Sequence, residues 1–161
     1  MNANLLPAVA LVLSTSLTAA TASAAPSIQI SAAWIQSPMP GATETAGYVR
    51  ITNGAETDDR LLSVSSRWAG HVDMHEMVTE DGMMGMRPLI YGVKVPAGGA
   101  VDFSPQALHL MLVNPRQKLV AGRSRVPLQF HFQKAGTIAV EVPVQNMPPA
   151  ATDAAMPDHH H

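Results

Sequence analysis

From Ile28 onward, apolar and polar positions alternate in short runs that Gly, Pro, Asn and Asp keep interrupting. The runs that read as strands are Ile28–Gln36, Ala46–Thr52, Arg60–Ser65, His71–Thr79, Met83–Arg87, Val93–Val95, Ala100–Phe103, Leu108–Val113, Val126–Phe132 and Thr137–Val142. Ser37-Pro38-Met39-Pro40-Gly41, Asn53-Gly54, Asp81-Gly82, Pro96-Ala97-Gly98-Gly99 and Ala135-Gly136 separate them as turns. No stretch long enough for a helix shows the helical period. Leu128 to Phe132 alternates cleanly, and Pro127 ahead of it suits a strand start or an edge. Short strands at this spacing predict an all-β domain, an antiparallel sandwich or barrel.

The two ends depart from that pattern. Leu5 to Leu17 is apolar and uncharged, and Ala22-Ser23-Ala24 supplies an A-x-A cleavage site. The core is too short to span a bilayer as a permanent helix, so residues 1–24 read as a secretory signal peptide cut after Ala24. No Lys or Arg precedes the apolar core, which departs from the usual form. The expected address is therefore exported, with no membrane span in the mature chain. Residues 25–144 form one domain, expected to be monomeric. Residues 145–161 carry Pro148, Pro149, Pro157, Met147, Met156 and the terminal His159-His160-His161, a composition that predicts a disordered Met/His tail.

Composition narrows the chemistry. Ten Lys+Arg against twelve Asp+Glu give a formal charge of -2, so nothing attracts nucleic acid. Cysteine is absent, which removes disulfides, iron–sulfur clusters, thiolate zinc sites, cysteine nucleophiles and thiolate-bound blue copper. G-x-S-x-G and H-E-x-x-H are also missing, and no acidic pair suggests acid/base work, so enzymatic bond-making is not expected. What remains is ten Met and seven His. These are the soft and borderline metal ligands left to the chain.

Met74, His75, Met77, Met83, Met84 and Met86 crowd around Asp81-Gly82, a strong two-residue hairpin signal. With Asp81 and Gly82 as the loop, Glu80 faces Met83, Met77 faces Met86 and His75 faces Pro88. His75, Met77, Met84 and Met86 then project from one side, while Met74 falls to the core. In His109-Leu110-Met111-Leu112, alternation sends His109 and Met111 to one face and the leucines inward. His75, Met86, His109 and Met111 together make a two-His, two-Met set suited to Cu(I), with Met77 or Met84 as substitutes. Zn²⁺ would gain little from thioethers, and Mg²⁺ or Ca²⁺ less. His71 has no paired thioether. His131, opposite Leu128, Phe130 and Phe132, is expected to face solvent.

These intervals resemble the periplasmic copper chaperone family PCu(A)C, whose signature is a His, ten residues, a Met, twenty-one residues and His-x-Met. Here ten residues separate His75 from Met86 and twenty-two separate Met86 from His109. The extra residue is expected in Leu89-Ile90-Tyr91-Gly92, ahead of the family-like Val95-Pro96-Ala97-Gly98-Gly99. The resemblance implies a cupredoxin-like Greek-key sandwich or barrel. It also implies a periplasmic chaperone that carries Cu(I) toward the binuclear copper centre of cytochrome c oxidase. The partner would be that oxidase domain or another copper chaperone. Tails bearing His and Met occur in the family, which implies a second, Cu(II)-preferring role for His159, His160 and His161. Copper storage or resistance, and a copper-dependent redox enzyme, are the competing expectations.

Overall fold

The computed structural model describes residues 27–146 and is all-β over that span. The expected signal peptide and the Met/His segment with His159, His160 and His161 lie outside the described residues. Ten strands follow in chain order: β1 Ile28–Gln36, β2 Glu44–Asn53, β3 Asp59–Ser65, β4 His71–Glu80, β5 Met83–Pro88, β6 Val93–Val95, β7 Ala100–Phe103, β8 Leu108–Val113, β9 Arg125–Phe132 and β10 Gly136–Gln145. Every run expected from the alternation is present, several of them one to three residues longer at an end.

The strands form one sheet in the order β5-β4-β8-β7-β2-β1-β10-β9-β3-β6, and a further β3–β4 pairing closes it on itself. Neighbours such as β4–β8 and β3–β9 are distant in sequence, as in a Greek key, and the architecture is cupredoxin-like. Most pairs are antiparallel. Two are parallel: β1 with β10, through Ile35↔Val144 and Gln36↔Gln145, and β7 with β8. The β1 pairing carries β10 through Pro143 to Gln145, beyond the Val142 limit that the alternation suggested.

Strand faces divide the chain into a dry core and a wet surface. Ile35, Ile51, Leu61, Leu110, Leu112, Val126, Leu128, Phe130, Val142 and Val144 are almost wholly buried in one cluster. Burying such side chains contributes about 1.5–3 kcal/mol each relative to leaving them exposed. Leu110 and Leu112 anchor β8 from inside, which leaves its other face free for chemistry. β2 packs along β8 through Glu44↔Val113 to Gly47↔Leu110, so β8 is held on both sides, by β2 and by β4.

Asp81 and Gly82 have φ of 50° and 77°, the pair of positive values a type I′ hairpin requires. That turn sets the β4–β5 register, Glu80↔Met83, Met77↔Met86 and His75↔Pro88. The Glu76–Arg87 ion pair, 2.7 Å, lies on the opposite face of the same hairpin. After β5, Leu89 to Gly92 form an exposed turn that carries Ile90 and Tyr91 at its tip. Gly92, at φ 74°, is the one residue type that fits there, because a Cβ would lie 2.2 Å from the Leu61 carbonyl oxygen.

Candidate metal centre

β4 is the middle strand of the site, with β8 on one side and β5 on the other. On its outer face stand His71, Asp73, His75 and Met77; its inner face buries Met74, as alternation predicts. Across β8, His75 lies directly opposite His109, and Asp73 directly opposite Met111. Toward β5, His75 lies opposite Pro88, which puts Met86 on its diagonal. His75 is thus the hub. His109 is its direct neighbour, and Met86 and Met111 sit one diagonal step away on either side, all four on the outer face.

The two imidazoles meet edge to face, with ring centroids 5.5 Å apart. His109 is only 5% exposed, although it points away from the leucine core. Its own burial, reinforced by His75 beside it, holds its pKa below the ordinary histidine value, against a hydrogen bond to the Ala107 carbonyl. A neutral ring is the ligating form. Nδ1 of His75 is buried and has no hydrogen-bond partner among the described residues. A buried nitrogen left without a partner is uncommon in a folded protein and marks a place where something else supplies the bond.

The donors are graded in exposure. His109 is buried, His75 and Met111 are half-buried, and Met86 on the edge hairpin is 54% exposed. Among the described residues, no group of three or more His, Asp and Glu side chains gathers in ligating range. On the same face as the His pair stand the thioethers of Met86 and Met111, a donor type that favours soft ions.

Sequence reasoning missed Asp73. Its carboxylate shares the outer face, beside Met111, and lies 3.3 Å from Nε2 of His71. The alternation His71-x-Asp73-x-His75 was the available signal. It also missed Met39, which lines a shallow groove with Thr45, Ala46 and Met111. His131 lies on the expected face yet is not simply solvated: Ser65 Oγ at 2.9 Å and Thr137 Oγ1 at 3.0 Å tie its two ring nitrogens. Thr137 is its register partner on β10, and Ser63 its partner on β3.

Comparison with known proteins bears on the family and the fold. The LpqE-like family model, described as one of lipoproteins, matches residues 28–144, from the first residue of β1 to the end of β10 less one. A protein of Leifsonia xyli subsp. xyli that is also named as a lipoprotein is 29% identical over 119 residues, 74% of this chain and 70% of its own. Among solved structures, the copper-bound PCuAC domain from PmoF2 is 24% identical with a TM-score of 0.61, covering 74% of this chain and 92% of that domain. The Cu(I) form of DR1885 from Deinococcus radiodurans is 24% identical with a TM-score of 0.60, covering 79% of this chain and 83% of that one. These structures share the fold. The chain belongs to the LpqE-like family and has the cupredoxin-like β fold of the PCu(A)C domain.

Proposed function

We propose that this protein is a copper chaperone whose cargo is Cu(I), held by His75, Met86, His109 and Met111 and passed to an acceptor protein. The observation that carries the reading is the His75–His109 pair, with the partnerless buried Nδ1 of His75 and the burial that keeps His109 neutral. Two imidazoles and two thioethers are all uncharged, so they match a soft monovalent ion and leave a divalent one undercompensated. Proteins of the same fold carry copper, one solved as a copper-bound domain and one as a Cu(I) form, which supports the assignment. The edge hairpin presents Met86, 54% exposed, where an acceptor's ligands can approach, while the histidines stand further in.

The acceptor proposed is the copper-centre domain of cytochrome c oxidase, or a second copper chaperone, in the periplasm. Export follows from the signal-peptide pattern of residues 1–24, and the lipoprotein relatives are in keeping with it. Among the described residues, no helix is long and apolar enough to cross a membrane. His159, His160 and His161 are proposed to collect Cu(II), since three imidazoles offer nitrogen donors without thioethers.

The test is anaerobic titration with Cu(I) against a competing chelator, followed by mixing with the copper-free oxidase domain. The expected result is one tightly held Cu(I) that leaves for the acceptor. Failure to retain Cu(I) overturns the proposal. Retention without transfer replaces delivery by storage. Truncation after Asn146, which spares β10, is expected to keep Cu(I) binding and to lose Cu(II) binding.

A further inference from the structure

β5 is a six-residue strand at the end of the sheet, paired among the described residues only with β4 and exposed along its whole length. Edge strands usually carry charge that discourages foreign pairing. This one carries a single charge, Arg87, already paired with Glu76, and three methionines, Met83, Met84 and Met86, exposed at 74%, 67% and 54% and so packed little against the core. The register sorts them. Met83 faces Glu80 and belongs to the Glu76–Arg87 side. Met84 and Met86 share the other face with Thr79 and Met77, and Met77 stands directly opposite Met86. Direct partners have Cβ atoms about 4.5–5.5 Å apart and diagonal ones about 7–8 Å, within reach of long unbranched side chains. Three thioethers therefore lie within reach of one another on one face, Met84 and Met86 exposed and Met77 half-buried, with Thr79 as their neutral companion.

We infer that Met77, Met84 and Met86 form a second station for Cu(I), made of thioethers alone and one cross-strand step from the His75–His109 pair. Nothing in the site proposed above requires Met77 or Met84, and packing does not account for the exposure of Met84. Neutral sulfur donors without a carboxylate select a soft monovalent ion and reject hard or divalent ones. Met86 lies between Met84 and His75 on the same face, so it is common to both sets. An ion can then move from the hairpin tip to the imidazoles by exchanging one ligand at a time while Met86 stays bound. The inference rests on the proposed Cu(I) reading for the second half of that path, but not for the station itself.

The experiment uses Ag(I), a redox-inert soft ion, and the full chain labelled with ¹³C at the methionine methyls, each signal assigned by a Met-to-Leu variant. The first equivalent is expected to shift Met86 and Met111, and further Ag(I) to shift Met77 and Met84. In the His75→Leu/His109→Leu variant the first equivalent is expected at Met77, Met84 and Met86 directly. Met77→Leu/Met84→Leu, checked for an unchanged melting temperature, is expected to lose the later phase by at least about tenfold in affinity and to keep the first within about threefold. Methyls of Met77 and Met84 that stay still in excess Ag(I) overturn the station, whatever Met111 does. Early shifts at Met77 and Met84 with none at Met111 uphold the station and overturn the four-ligand site instead.

Discussion

Replacing His75 by Leu is expected to stabilise the metal-free protein while disabling it. Nδ1 of His75 is buried without a partner, and a buried polar atom in that condition costs about 1–3 kcal/mol. Leucine removes that cost and restores a side chain of similar bulk to a half-buried position on β4. Against the gain stands the edge-to-face contact with His109, an aromatic pair worth about 0.5–1.5 kcal/mol. The balance is a gain of about 1 kcal/mol, which raises the melting temperature of a domain this size by roughly 3–5 °C. With Cu(I) the order reverses. A ligand present at a thousand times its dissociation constant stabilises the wild type by about 4 kcal/mol, a gain the variant forgoes in proportion to its lost affinity. Thermal melts under anaerobic conditions, with and without Cu(I), read both effects. A metal-free variant that melts below the wild type refutes the orphan-nitrogen argument, and a variant with an undiminished Cu(I)-induced rise refutes ligation by His75.

Met86→Leu together with Met111→Leu is expected to leave the fold within about 1.5 kcal/mol of wild type, because volume is conserved, and to weaken Cu(I) at least about tenfold in a chelator competition. Acidification acts through His109, whose pKa is depressed by burial and by His75. The unfolded chain takes up that proton at the ordinary imidazole pKa and the folded chain only at lower pH, so metal-free stability is complete above the ordinary value and is lost as pH falls toward the depressed one. Cu(I) affinity is expected to fall over the same acid range, and an affinity unchanged from pH 8 down to about 5 points to an all-methionine site. Gly92→Ala forces a Cβ against the Leu61 carbonyl at a positive φ, and a loss of about 2–3 kcal/mol in chemical denaturation is expected, with Cu(I) affinity of the folded protein unchanged.

How much of this was legible depended on whether a local rule reached the feature. The β4–β5 register followed from Asp81-Gly82 alone, since a two-residue loop leaves one way to pair the strands. Met74 in the core and Leu110 and Leu112 beneath β8 followed from the period of two. No local rule says that β4 should lie against β8, because the pairing of His75 with His109 spans the whole β5–β7 excursion. Donor chemistry and the family-like intervals suggested it. The parallel β1–β10 pair was illegible for the same reason, and Pro143 reads as a strand end although β10 runs on to Gln145. Asp73 stood out no more than other surface carboxylates, because its place beside Met111 depends on the same non-local β4–β8 pairing.

On the proposed reading, the gradient of exposure across the site decides how copper leaves. His109 sits on a strand pinned from within by Leu110 and Leu112 and from both sides by β2 and β4, so it moves least. Met86 sits on an edge strand with one partner and stands mostly in solvent. Removing a ligand from an exposed, weakly packed segment costs little, whereas displacing a buried imidazole disturbs the barrel wall. An incoming acceptor ligand therefore meets Met86 first and the histidines last. That sequence favours transfer through an intermediate shared by both proteins over release of a free ion, and it places the acceptor's contact surface on the outer face of the β4–β5 hairpin.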